Sequence, residues 1–185
     1  MTANRLQGPT INGDPIGWPL PSLNDIYCKG PRVGAGLGLG LTALLGPLGT
    51  IASDRTKPDG GSVSGSGVVT IPVTSLLRMS LLGTQFSFET QITSLSGVGA
   101  YAEGGIELTG VMRSEALDFG ASTDSGFATA AGLGDGLGSS ASIQTSEISN
   151  GLDWKIQVKG GPAGGGFIGT GEYSAYNLAT NPLGC

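Results

Sequence analysis

The stretch VGAGLGLGLTALLGPLGTIAS, residues 33–53, carries no charge over 21 positions, and Gly34, Gly36, Gly38 and Gly40 recur at every second place. A helix there would hold six glycines and Pro47. At about 1 kcal/mol per interior glycine and about 3 for proline, it would be disfavoured in water by roughly 9 kcal/mol. A bilayer would still accept a span of that length. The period, however, is two and not 3.6. Val33, Ala35, Leu37, Leu39 and Leu41 fall on one side and the glycines on the other, which is strand periodicity. A strand or extended segment is therefore expected over 33–45, followed by a loop over 46–61. The bare glycine side lets another backbone or a ring approach closely.

The same alternation recurs downstream. Val63, Val69, Ile71 and Val73 share a face. Phe86, Phe88 and Ile92 oppose Gln85, Ser87, Glu89, Gln91 and Thr93. Ile106, Leu108 and Met112 oppose Glu107, Thr109 and Arg113. Leu152, Trp154, Ile156 and Val158 oppose Asp153, Lys155, Gln157 and Lys159. These read as half-buried strands with a dry face and a wet face. Phe167, Tyr173 and Ala175 share a face in a last run. Residues 74–82 fit either a short helix or a continuing strand. Residues 116–140 are small and weakly patterned, so a long loop or a short irregular strand pair is expected there. Asn150-Gly151 suits a type I′ turn; that turn would pair Ser149 with Leu152, Glu147 with Trp154, Thr145 with Ile156 and Ile143 with Val158. Gly160–Gly166 reads as another turn region.

Composition agrees with an all-β chain. Thirty-five of 185 residues are glycine, against a usual share of about 7%. Only 12% are charged, about half the ordinary level. The expected fold is an antiparallel β-sandwich or barrel of about 7–8 strands. It would form one Gly-rich domain over 33–185, preceded by an extended arm over 1–32 that holds five of the ten prolines. Trp18 and Tyr27 are the arm's candidate anchors.

Charge is uneven. Residues 1–57 hold five Lys/Arg and three Asp/Glu, whereas 58–185 hold four and eleven. An acidic body argues against nucleic acid as a partner. Opposite signs would let the arm of one copy settle on the body of another. Cys28 and Cys185 are too few for a disulfide framework. A bond between them would tie the tail to the arm, and two free thiols is the simpler reading.

Catalytic chemistry finds little to work with. The chain has no histidine, the commonest general base and metal ligand. The cysteines lack CxxC spacing, and neither GxSxG nor GxxxxGK[ST] occurs. GGGFIG over 164–169 matches GxGxxG only formally, since no helix follows. Glu103, Glu107, Asp118, Asp124 and Asp135 are expected to be solvated surface acids. No cofactor and no metal are expected.

The opening residues lack a basic region followed by an apolar core, so no secretory signal is read. The favoured role is a non-enzymatic, self-assembling structural protein. It would be a virion (capsid or tail) or fibre component, made in the cytoplasm and carried in an extracellular assembly, with itself and other assembly subunits as partners. Its contact residues would be Trp18, Tyr27, Leu37, Leu39 and Leu41, with Gly36 and Gly38 on the bare side. The second choice is a β-barrel holding a lipid or apolar ligand, or inserting into a membrane.

Overall fold

The computed structural model describes residues 10–11, 14–15, 27–45, 60–148 and 151–185. Trp18, most of the arm and the segment 46–59 lie outside the described residues. The chain is nearly all β. A small antiparallel pair joins β1 (Thr10–Ile11) to β2 (Asp14–Pro15). The main sheet contains β3 (Arg32–Leu45), β4 (Gly60–Pro72), β5 (Gln85–Arg113), β6 (Gly120–Ile148) and β7 (Gly151–Ala179). All pairings are antiparallel, in the order β3-β4-β5-β7-β6, with a further β3–β5 pairing. A short helix α1 (Val73–Leu77) follows β4. Thus 33–45 is a strand as the alternation requires, and the ambiguous 74–82 segment starts as a helix.

The three long strands double back on themselves. The first part of β5 pairs with β4 (Gln85↔Thr70 to Leu95↔Gly60), and its last part pairs with β3 (Ala100↔Leu45 to Arg113↔Arg32). Side chains 24 residues apart on β5 then meet: Arg113 Nη2 lies 3.5 Å from Glu89 Oε2. On β6, Ser146 donates to Asp124 at 3.3 Å. The cause is local. Each long strand carries a left-handed glycine near its midpoint: Gly99 (φ 116°), Gly136 (φ 82°) and Gly165 (φ 94°). A side chain at such a φ is strained, so glycine lets the ribbon bend without breaking its ladder. Where the sequence suggests a turn over 160–166, there is this bend inside one continuous strand. A small apolar cluster packs beneath it, formed by Leu44, Leu95, Tyr101, Ala130, Ala163 and Phe167. The Tyr101 and Phe167 rings are 5.0 Å apart.

Two expectations are corrected here. Residues 120–148 form one strand, not a loop or irregular pair. Both faces of that strand are built mainly of Gly, Ala, Ser and Thr, so hydropathy alternates too weakly to register, while its backbone pairs with β7 throughout. The β6–β7 register also differs by two residues. Ile148 pairs with Gly151, Thr145 with Trp154 and Ile143 with Ile156. The shift is even, so every side chain keeps its face.

The last arm residues are fastened to the body. Cys28 and Cys185 form a disulfide with Cα atoms 5.9 Å apart. Arg78 donates to the Tyr27 hydroxyl at 2.8 Å and lies over its ring. Tyr27 therefore rests on its own chain.

Candidate functional site: an apolar outside and a charged inside

The alternating strands have the polarity opposite to the usual one. On β3 the leucine row points outward, with Leu37 61%, Leu39 68% and Leu41 67% exposed. Phe86, Phe88, Ile106, Leu108, Trp154 and Ile156 are likewise exposed on β5 and β7. Their polar neighbours point in: Glu89, Gln91, Glu103, Glu107, Arg113, Lys155, Gln157 and Lys159 are all buried. The faces are those read from the sequence, but the wet face is the inner one. Glu103 and Glu107, expected to be solvated surface acids, are 4% and 2% exposed. Asp118 and Asp135 do lie at the surface.

Buried charges persist when paired and hydrogen-bonded. The interior provides this in two clusters. In the first, Lys155 Nζ donates to Glu89, and to Gln91 Oε1 at 2.8 Å, while Arg113 closes on Glu89 from the other half of β5. The Tyr173 ring lies 5.3 Å from Lys155 Nζ. In the second, Lys159 Nζ faces Glu107 Oε2 at 3.8 Å and donates to Thr42 at 2.9 Å; Gln157 donates to Glu107 Oε1 at 2.8 Å. Ser140 donates to Glu103 nearby. At one end of β3, Arg32 donates to Thr70, Gln85 and the Cys28 carbonyl, each at 3.4 Å.

The glycines of β3 face this interior. Gly40 leaves room for the Lys159 stem, whose Cε and Nζ would lie 2.5 and 2.7 Å from a Cβ at that position. A Cβ on Gly36 would stand 2.7 Å from the Gly67 carbonyl oxygen, and one on Gly38 would run into the Gly65 carbonyl. The bare side is thus filled by the β4 backbone and by a lysine. Gly36→Val is expected to separate β3 from β4 and to lower stability by about 1–3 kcal/mol, the usual range for overpacking. Urea titration of purified protein checks this.

Two small cavities lie among the buried polar groups. The cavity between Thr42, Glu107, Ser140, Gln157 and Lys159 measures about 20 Å³, and one beside Asp124, Arg113 and Tyr173 about 10 Å³. The first has room for about one water molecule. Among the described residues no group of three or more His, Cys, Asp or Glu is placed to hold a metal ion. Among the described residues no helix is long and apolar enough to cross a membrane, which says nothing of strands.

The outer surface is not uniform along the strands. Phe86, Phe119, Trp154 and Tyr176 sit near the end that carries α1, opposite the glycine bends. At the same end Leu76, Leu77, Met79 and Leu81 of α1 and its following turn are exposed. The candidate contact residues Leu37, Leu39 and Leu41 form one row on β3, with Gly36 and Gly38 behind it. The structure brings neither Tyr27 nor the disulfide into that row. Sequence reasoning missed the two ion clusters, although the spacing of Glu89, Glu107, Lys155 and Lys159 on polar faces was the available signal.

Comparison with protein-family models, with curated proteins and with solved structures finds no match.

Proposed function

We propose that this chain is a membrane-embedded β-barrel protein whose filled interior serves anchoring and not conduction. The observation that carries the reading is the reversal of polarity: aliphatic and aromatic residues outside, paired charges inside. In water the apolar faces would turn inward, since burying each large side chain is favourable by about 1.5–3 kcal/mol. Lipid removes that drive and favours an apolar exterior over a polar interior.

In this reading the folded sheet works as a barrel of eight segments. They are β3, β4 and the two halves of each long strand, with the halves of β6 meeting at the seam. Segment length fits: β3 has 14 residues and β4 has 13, and a tilted transmembrane strand needs roughly 9–11. The aromatic cluster at one end resembles the girdles that mark a membrane–water boundary. The two interior cavities, about 20 and about 10 Å³, are each too small for a hydrated ion.

A self-assembling structural protein in water, such as a virion or fibre component, is the second reading, favoured by the exposed row Leu37, Leu39 and Leu41. Neighbouring copies would cover one or two faces, however, and the apolar surface extends over β3, β4, β5 and β7. Lipid covers all of them at once.

The deciding experiment uses Trp154, which points outward on β7. In a Trp18→Phe variant it is the sole tryptophan. We expect the protein to float with phosphatidylcholine vesicles and its emission to be quenched by lipids brominated on the acyl chain. Protein that stays in the aqueous fraction, with emission unchanged by brominated lipid, overturns the membrane reading.

A further inference from the structure

The outer surface differs between the two halves of the folded sheet. The half made by β3 and residues 100–113 and 152–162 shows no charged residue outward. The other half, made by residues 85–95, 120–133 and 168–179, carries an outward polar island. Glu172 stands midway along the second half of β7, with Ser94 as its Cα partner on β5. Ser125 pairs with Ser174 and Thr129 with Thr170 across β6 and β7. All six side chains are exposed, and among the described residues no hydrogen bond reaches the Glu172 carboxylate. Apolar groups flank the island and enter it: Ile92 is the β5 partner of Ser174, and exposed Thr90, Tyr176 and Thr123 lie between Ser174 and Leu178. Phe88 and Leu178 lie toward one end of the strands, Ile168 and Leu133 toward the other, and Phe127 beside Glu172.

We propose that this island is the contact between two copies of the chain within the membrane. The inference rests on the membrane reading, because only in lipid does the island need a cover. A carboxylate and five hydroxyls facing acyl chains have no water to bond. A second copy related by a two-fold axis supplies what is missing. Hydroxyls both donate and accept, and a carboxylate accepts, so the island complements itself in the isologous manner of a C2 interface. A peptide of unrelated composition has no such match, and among the described outward positions of β3–β7 there is no cation to satisfy Glu172 within one copy. Three strands spaced about 4.8 Å apart, over about five residues, give an island of roughly 240 Å². That is about a third of a standard partner surface, so the dimer should dissociate as protein is diluted in lipid.

The test counts subunits in vesicles. The full chain, labelled at its N-terminal amine, is reconstituted in phosphatidylcholine vesicles and examined by stepwise photobleaching and by flotation. The wild type should float and show two-step traces at high protein-to-lipid ratio. The T170L/E172L/S174L variant should float equally well and lose at least tenfold of its two-step traces. Ser125→Trp, which blocks by bulk, should do the same, whereas Glu172→Gln should keep the dimer. Wild-type protein that floats but bleaches in one step at every ratio overturns the dimer and leaves the membrane reading standing. A variant that stays dimeric overturns it too. Wild-type protein that does not float removes both.

Discussion

Glu89→Leu is expected to destabilise the fold by roughly 3–5 kcal/mol, the range for stranding a buried charge. Glu89 is 2% exposed and is the carboxylate that both Lys155 and Arg113 approach. Leucine fills the volume and removes the carboxylate that both cations approach, while Lys155 keeps Gln91 and the Tyr173 ring beside it. Replacing all three with methionine removes the stranded charge along with the pair attraction. That triple variant should come within about 1–2 kcal/mol of wild type, since buried ion groups and well-packed apolar ones are often close in stability. Urea unfolding in detergent micelles, followed by Trp154 emission, measures both. A single variant within 1 kcal/mol of wild type would mean that the cluster is hydrated and the interior open to water.

That interior was half legible in the sequence. Period two on β3, β5 and β7 is plain from residues such as Leu37/Gly38/Leu39 and Trp154/Lys155/Ile156, and it fixes which residues share a face. It does not fix which face is inside, because alternation is symmetric and the sign depends on the surrounding medium. One hint was composition. With 12% charged residues, against roughly 25% in an ordinary soluble domain, there are few charges to clothe the outside. Those present sit at positions of opposite sign, such as Glu107 and Lys159, that the fold draws together. The bends were illegible for another reason. Gly99, Gly136 and Gly165 are three of 35 glycines, and only the backbone conformation separates a bend glycine from one such as Gly38 that makes room for a neighbouring strand. The disulfide was open for want of geometry: 157 residues separate Cys28 from Cys185, and only the long β-ribbon returns the tail to the start of β3.

Leu39→Arg separates lipid from water as the medium around β3. Leu39 lies near the middle of the strand, 68% exposed, with Ile106 as its Cα partner on β5. On a water-facing surface an exposed substitution away from caps and cores changes stability by about 0.5 kcal/mol or less. At the midplane of a bilayer, arginine on the lipid face of a barrel costs about 2–4 kcal/mol, falling to about 0–1 near the interfaces. The expected result is therefore graded. Leu39→Arg should lose about 2–4 kcal/mol in lipid vesicles and fold slowly or incompletely into them. Val33→Arg, at the end of the same row beside Met112, should lose less than about 1. Both variants place arginine on the same outward face of β3, at exposed Leu39 in mid-strand and at half-buried Val33 at the strand end, so the contrast between them reports depth along the row. Equal, small losses at the two positions would place this face in water, and the leucines would then require a protein neighbour in place of a membrane.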